Sequence, residues 1–181
     1  ALKKDCQNAS VQSFGYSEIT GNRNLKNALC QYLYRSKGIK CHAQNIFIVS
    51  GTSGAISLIA DSFETDNRRI ALEDPSIDFV RNIFTYKEYE IYPVPVDDEG
   101  MITTQLNQNC KYKPSLIYTV PSHQFPTGTI LSASRRMELL KYAVSNGAYI
   151  IEDDYDSEFN YSKKIVQPLY NIDSEHTIYI G

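Results

Sequence analysis

Ile150–Ile151–Glu152–Asp153–Asp154–Tyr155–Asp156–Ser157–Glu158–Phe159 is an apolar strand run that breaks into carboxylates around one tyrosine. Five of the ten side chains are acidic, and like charge crowded at a strand end is costly unless something uses it. In an extended chain, side chains two apart share a face, so Asp153 and Tyr155 can address one flat ligand. A carboxylate beside a phenol suits a pyridine ring that carries a phenolic oxygen, and pyridoxal phosphate is such a ring. The same residues can also be read as a solvated acidic loop, or as oxygen ligands for Mg²⁺ or Ca²⁺. The spacing fits no calcium loop, and an aromatic and an apolar residue interrupt the oxygens. The expectation is therefore no metal site.

Outward from this stretch, strand and helix patterns alternate with short connections. Upstream, Met137, Leu140 and Val144 predict a helix that stops at Gly147, and 116–120 predicts a strand ended by Pro121. Before them come a strand near 90–96 with a turn at 97–100, a helix around 79–84, and a strand at 69–72 closed by Glu73–Asp74–Pro75. Ala55, Ile56, Ile59 and Phe63 follow helical spacing, behind a buried strand expected at 46–49. Leu25, Ala28, Leu29, Tyr32 and Leu33 mark the first helix, stopped by Gly38, and 178–180 begins a last strand. Strands alternating with helices predict an α/β fold, a three-layer sandwich with a mostly parallel sheet.

Composition narrows the class. With 42% hydrophobic and 22% charged residues in 181, the chain has the makings of a folded globular unit rather than a disordered one. A net charge of −3 offers no broad basic face to nucleic acid. No apolar run approaches a membrane span, so no membrane partner is expected. Cys6, Cys30, Cys41 and Cys110 lack CxxC or metal spacing and read as reduced cytoplasmic thiols, mostly small core hydrophobes. Ala1–Leu2–Lys3–Lys4 lacks a starting Met and reads as cut from something longer.

Three segments share one topological address. Ser50–Gly51–Thr52–Ser53–Gly54, Pro121–Ser122–His123–Gln124–Phe125–Pro126–Thr127–Gly128 and Asp153–Tyr155 each follow a strand pattern, and ligands of open α/β sheets settle beyond the carboxyl ends of strands. The first opens a helix, whose free N–H groups and dipole suit an anion, with Thr52 and Ser53 hydroxyls as further donors. It is neither a Walker loop nor a dinucleotide fingerprint, and alone it reads as an ordinary N-terminal cap.

On these residues the chain resembles the aminotransferase-like domain of fold-type I pyridoxal phosphate proteins, most closely that of the MocR/GabR class of GntR-family transcriptional regulators. Phe14–Gly15–Tyr16 with Gly21 and Leu25 is similar to the family's opening motif, and Ser50–Gly51–Thr52 to its phosphate turn. The segments at 121–128 and 152–159 are the most specific matches, and the His123–Gln124 pair favours the regulators over metabolic transaminases. The resemblance implies that Asp153 pairs with the pyridine nitrogen and Tyr155 with the ring's phenolic oxygen. Gly51, Thr52 and Ser53 would hold the phosphate, and Tyr16 would reach the phosphate of the neighbouring subunit in a homodimer. His123 and Gln124 would lie near the ring. Ile77 departs from the family, which carries a ring-stacking aromatic there, so a cofactor-free scaffold is one rival and a metabolic aminotransferase another.

The resemblance also implies that residues 1–181 are a partial domain. The Schiff-base lysine is expected beyond Gly181, with no catalytic residue in this chain, and Lys163 and Lys164 read as solvated loop charges. A winged helix that carries DNA binding is expected upstream. The small-molecule partner would be an amino compound.

Overall fold

The computed structural model describes residues 15–16, 18–63, 67–108, 113–156 and 167–181. Phe14, Ser17, Cys6, Cys110, Lys163, Lys164 and the 157–159 end of the acidic stretch lie outside the described residues. In chain order the elements are α1 (Arg23–Lys37), α2 (Gly51–Ser62), β1 (Arg69–Asp74), α3 (Asp78–Tyr86), β2 (Glu90–Asp97), β3 (Gly100–Met101), α4 (Gln105–Gln108), β4 (Leu116–Thr119), α5 (Ala133–Asn146), β5 (Tyr149–Asp153) and β6 (Thr177–Ile180). Short 3-10 turns sit at Ala43–Asn45 and Leu169–Asn171.

The six strands form one sheet in the order β3-β2-β1-β4-β5-β6. Every pairing is parallel except the β2–β3 hairpin. Side-chain alternation divides the core in two. Ile70, Leu72, Leu116, Tyr118 and Ile151 face one way and bury against Ile56, Ile59 and Ala60 of α2 and Val80 and Phe84 of α3. Ala71, Ile117 and Ile150 face the other way, against Leu139, Leu140, Tyr142 and Ala143 of α5. Helices thus cover both faces, as a buried parallel sheet requires.

The expected strand at 46–49 does not form. Phe47, Ile48 and Val49 are exposed, and the run sits outside the sheet, whose edge on the far side of β5 is β6. A strand needs a partner ladder. Among the described residues this run has none; it makes isolated backbone bonds, among them the Ile48 N–H donating to Thr20 O at 2.9 Å. Gly21 permits that contact, because a Cβ there would stand 2.5 Å from Ile48 Cγ1.

The first helix has the expected extent but a rotated stripe. Lys26 is its buried residue, and Leu29, Cys30, Leu33 and Lys37 are half-buried, whereas Leu25, Ala28 and Tyr32 are exposed. Polar partners draw that stripe inward: Lys26 Nζ donates to Glu18 Oε2 at 2.8 Å and Thr20 Oγ1 at 2.7 Å. Gly38, at φ 71°, ends the helix with its N–H directed at Leu33 O and Tyr34 O. Likewise α5 buries Arg136, Leu139, Leu140, Tyr142 and Ala143, leaving Met137 and Val144 exposed.

The hairpin beside β2 turns at Gly100, where φ is +89° and a Cβ would lie 2.9 Å from Leu131 Cα. Gly100→Ala therefore combines backbone strain with a clash against backbone that cannot rotate away. It is expected to cost about 2–4 kcal/mol, read as a lower urea midpoint. A midpoint unchanged from the parent would show that the hairpin shifts freely.

Candidate functional site

Each carboxylate after β5 goes to a different partner, because alternation turns successive residues to opposite faces. Glu152 accepts from Leu169 N–H at 2.9 Å and Tyr170 N–H at 3.0 Å, so it caps the 3-10 turn there. Asp154 pairs with Lys37 Nζ at 3.2 Å and accepts from the Tyr179 hydroxyl at 2.5 Å. Asp156 Oδ2 lies 2.5 Å from His123 Nδ1, and a nitrogen facing a carboxylate carries the hydrogen. These carboxylates diverge, and no grouping of three or more potential metal ligands occurs among the described residues.

Asp153 turns to the opposite face from Glu152 and Asp154. It is 1% exposed on the α2/α3 face, and its Oδ2 accepts from the Tyr118 hydroxyl at 2.6 Å. Its Oδ1 is buried with no hydrogen-bond partner among the described residues, as is Asp154 Oδ1, but the Asp154 carboxylate has the Lys37 ammonium beside it. Burial pushes its pKa up and Asp154 adds to this, while the Tyr118 bond opposes both. A buried carboxylate oxygen without a donor is expensive. A cationic N–H brought to Oδ1 removes that cost, so the donor set fits a protonated pyridine nitrogen.

The helix that opens at Gly51 lies on the sheet face that carries Asp153, since its Ile56, Ile59 and Ala60 share a buried layer with Ile151 of β5. Phe63, which follows α2, packs on Tyr149 at the start of β5, with ring centroids 5.1 Å apart. Gly51 has φ +69° with open space around its α-carbon. The Ser50 side chain does not cap the helix, so the first-turn N–H groups face outward beside half-buried Thr52 and exposed Ser53.

Tyr155 is half exposed, and its ring lies nearly parallel to that of His123, 13° between planes with centroids 6.1 Å apart. Burial, then Asp156 and Asp153, raise the Tyr155 pKa, so it stays a neutral donor. Gln124 is turned inward. Its Nε2 donates to Pro75 O at 2.8 Å, Phe125 O at 2.7 Å and Glu73 Oε2 at 3.3 Å, while Oε1 accepts from Thr127. Gln124 thus braces the 121–128 loop and presents His123. Tyr16 is fully exposed. Ile77 precedes α3, half-buried against the α2/α3 core.

Two residues that sequence reasoning passed over belong here. Tyr118 is fully buried and needs a partner for its hydroxyl, a requirement visible in sequence, but its match to Asp153 depends on strand register. Glu73, fully buried on the opposite face, accepts from Thr119 Oγ1 at 2.6 Å and Val120 N–H at 3.3 Å.

Burial raises both Glu73 and Glu152 to about 7 from an ordinary 4.5. The folded chain then holds these protons to higher pH than the unfolded chain does. Their stability is full below about pH 4.5 and is lost as pH rises to about 7. A rise of this size corresponds to on the order of 3 kcal/mol per group. The urea midpoint should therefore be higher at pH 5 than at pH 8. Glu73→Gln should flatten the slope, because the Thr119 hydroxyl can reverse to accept. A midpoint that climbs between those pH values would contradict it.

This sheet with its edge cluster defines a class, the pyridoxal-phosphate-type transferase fold. The family model described as aminotransferase class I and II matches residues 1–180, and the chain belongs to that family. It is 38% identical to the HTH-type transcriptional regulator YdeL of Bacillus subtilis (strain 168), over 95% of this chain and 38% of that protein. It is 29% identical to the probable rhizopine catabolism regulatory protein MocR of Rhizobium meliloti, over 99% of this chain and 36% of that one. Among solved structures, Pyrococcus horikoshii kynurenine aminotransferase superposes with a TM-score of 0.89 at 28% identity, over 98% of this chain and 46% of that chain. The chain therefore spans less than half the length of each of these relatives. No helix among the described residues is long and apolar enough to cross a membrane.

Proposed function

We propose that this chain is part of the pyridoxal-phosphate-binding domain of a MocR-type, GntR-family DNA-binding regulator that senses an amino compound. The observation that carries the cofactor reading is the buried Oδ1 of Asp153, which lacks a donor among the described residues and lies on the sheet face that α2 covers. Asp153 would hold the ring nitrogen protonated, Tyr155 would donate to the phenolic oxygen, and Gly51, Thr52 and Ser53 would hold the phosphate. When bound, the cofactor supplies an electron sink and an aldehyde that takes up amines. His123, ordered by Asp156, would flank the ring, and Gln124 would act by holding the loop. Tyr16, fully exposed, is available to the phosphate site of a second copy in a homodimer.

The regulator is favoured over a metabolic aminotransferase by the 38% identity to a transcriptional regulator, against 28% to the kynurenine enzyme. DNA binding would reside in an upstream winged helix, and the lysine that condenses with the cofactor would follow Gly181. The test is pyridoxamine phosphate, which needs no lysine to bind. Titration of the chain should saturate with a fluorescence change that inorganic phosphate alone does not give. No binding at millimolar ligand would remove the cofactor reading. At the level of the whole gene product, DNA retardation that ignores pyridoxal phosphate and amines would return the reading to a metabolic enzyme.

A further inference from the structure

The cysteines are scattered in sequence, but the fold brings two of them together. Cys41 Sγ lies 3.8 Å from Cys30 Sγ, and both are free and half-buried. The contact follows from how α1 ends. Gly38 adopts the left-handed cap, Ile39 N–H returns to Leu33 O at 3.2 Å, and the chain doubles back along the helix. Ile39 is 2% exposed and anchors the reversal, so Cys41 arrives beside the stripe that already carries Lys26, Cys30 and Lys37.

We propose that Cys30 and Cys41 are a reversible thiol–disulfide couple whose co-reactant is a low-molecular-weight disulfide. The Cys30 thiolate attacks the small disulfide, forming a mixed disulfide and expelling one thiolate. The Cys41 thiolate then attacks the Cys30 sulfur, closing the intrachain bond and expelling the second. The chain loses two protons and two electrons, and the small disulfide gains them as two thiols. Cys41 is the resolving partner, because burial and the adjacent Cys30 sulfur hold its pKa up near 11. Once Cys30 carries the mixed disulfide, its part of that rise disappears and a larger share of Cys41 is thiolate. The sulfurs must close from 3.8 Å to about 2.05 Å. The bond would ring the Gly38 turn and fasten α1 to the connector that leads into the 50–53 turn.

The experiment is a titration of the native chain with oxidised glutathione, quenched with iodoacetamide and digested with trypsin. Peptides 27–35 and 41–68 should be recovered joined, and dithiothreitol should release them. The Cys6→Ser/Cys110→Ser variant should give the same link in the same yield. Recovery of both peptides alkylated or each bearing glutathione overturns the proposal, as does a link from position 30 or 41 to position 6 or 110.

Discussion

Asp153→Asn should bind pyridoxamine phosphate about 10–100-fold more weakly while making the ligand-free chain more stable. The first effect follows from charge. An ionised carboxylate facing a protonated ring nitrogen makes a charge-assisted bond worth about 1.5–3 kcal/mol, and asparagine leaves only a neutral one. The second follows from burial. Asp153 is 1% exposed and its Oδ1 has no donor among the described residues, so the carboxylate costs the ligand-free fold energy. The amide keeps an oxygen for the Tyr118 hydroxyl, 2.6 Å away in the parent, and removes the buried charge. A gain of about 1–2 kcal/mol is expected, read by urea unfolding beside the ligand titration. A residue that only held the fold would lose stability and leave affinity alone. Unchanged affinity removes Asp153 from the ring nitrogen, and lost stability removes the strained carboxylate.

The same pairing shows what sequence could and could not reveal about the site. Asp153 and Tyr155 stand out by composition, and the turn at 51–53 by its glycines and hydroxyls after an apolar run. Helix–strand alternation puts Asp153 at a strand's carboxyl end, but it misreads the turn at 51–53, because the run before that turn forms no strand. Beyond this point register decides. Tyr118 reaches Asp153 because β4 and β5 align Tyr118 with Ile151, two residues short of it on the same face. A shift by one residue would aim Glu152 there instead. Gln124 is the sharpest difference. Adjacent to His123, it reads as a second ring contact, yet its amide is consumed by Glu73, Pro75, Phe125 and Thr127. Nothing local to 121–128 encodes that turn inward, since Glu73 lies on a strand far away in sequence.

For the fold, patterns carried most elements because buried parallel strands are short apolar runs and the helices between them have a periodic face. The failures share a cause. The run at 46–49 has strand composition, but a strand is a relation between two segments, and none of the described residues forms a ladder beside it. On α1 the inward stripe is set by Lys26 and Lys37 reaching Glu18 and Asp154, polar partners that hydrophobic spacing does not register. The two-residue β3 and four-residue α4 are too short for any period to show.

Arg136 supports the other large expected effect. Its neighbour Arg135 pairs with exposed Asp97. One residue is about 100° of helix, and Arg136 points inward, 5% exposed. Its Nε donates to Leu131 O at 3.0 Å, one Nη to Gln167 O at 3.0 Å and the other to Pro121 O at 2.6 Å. Pro121 and Leu131 bracket the loop that carries His123 and Gln124, so one guanidinium holds both ends of that loop against α5. Arg136→Met keeps the volume but leaves the three carbonyls without this donor and Glu152 without its nearby cation. The expected cost is about 3–5 kcal/mol, a large part of the stability of a domain this size. Arg136→Lys should recover little, because one ammonium on a flexible stem cannot meet three separated carbonyls at once. Hydrogen exchange should accelerate first at 121–131, ahead of the sheet, since the sheet's own ladder is untouched. A methionine variant within about 1 kcal/mol of the parent would mean that the carbonyls find other donors and that the loop needs no such clamp.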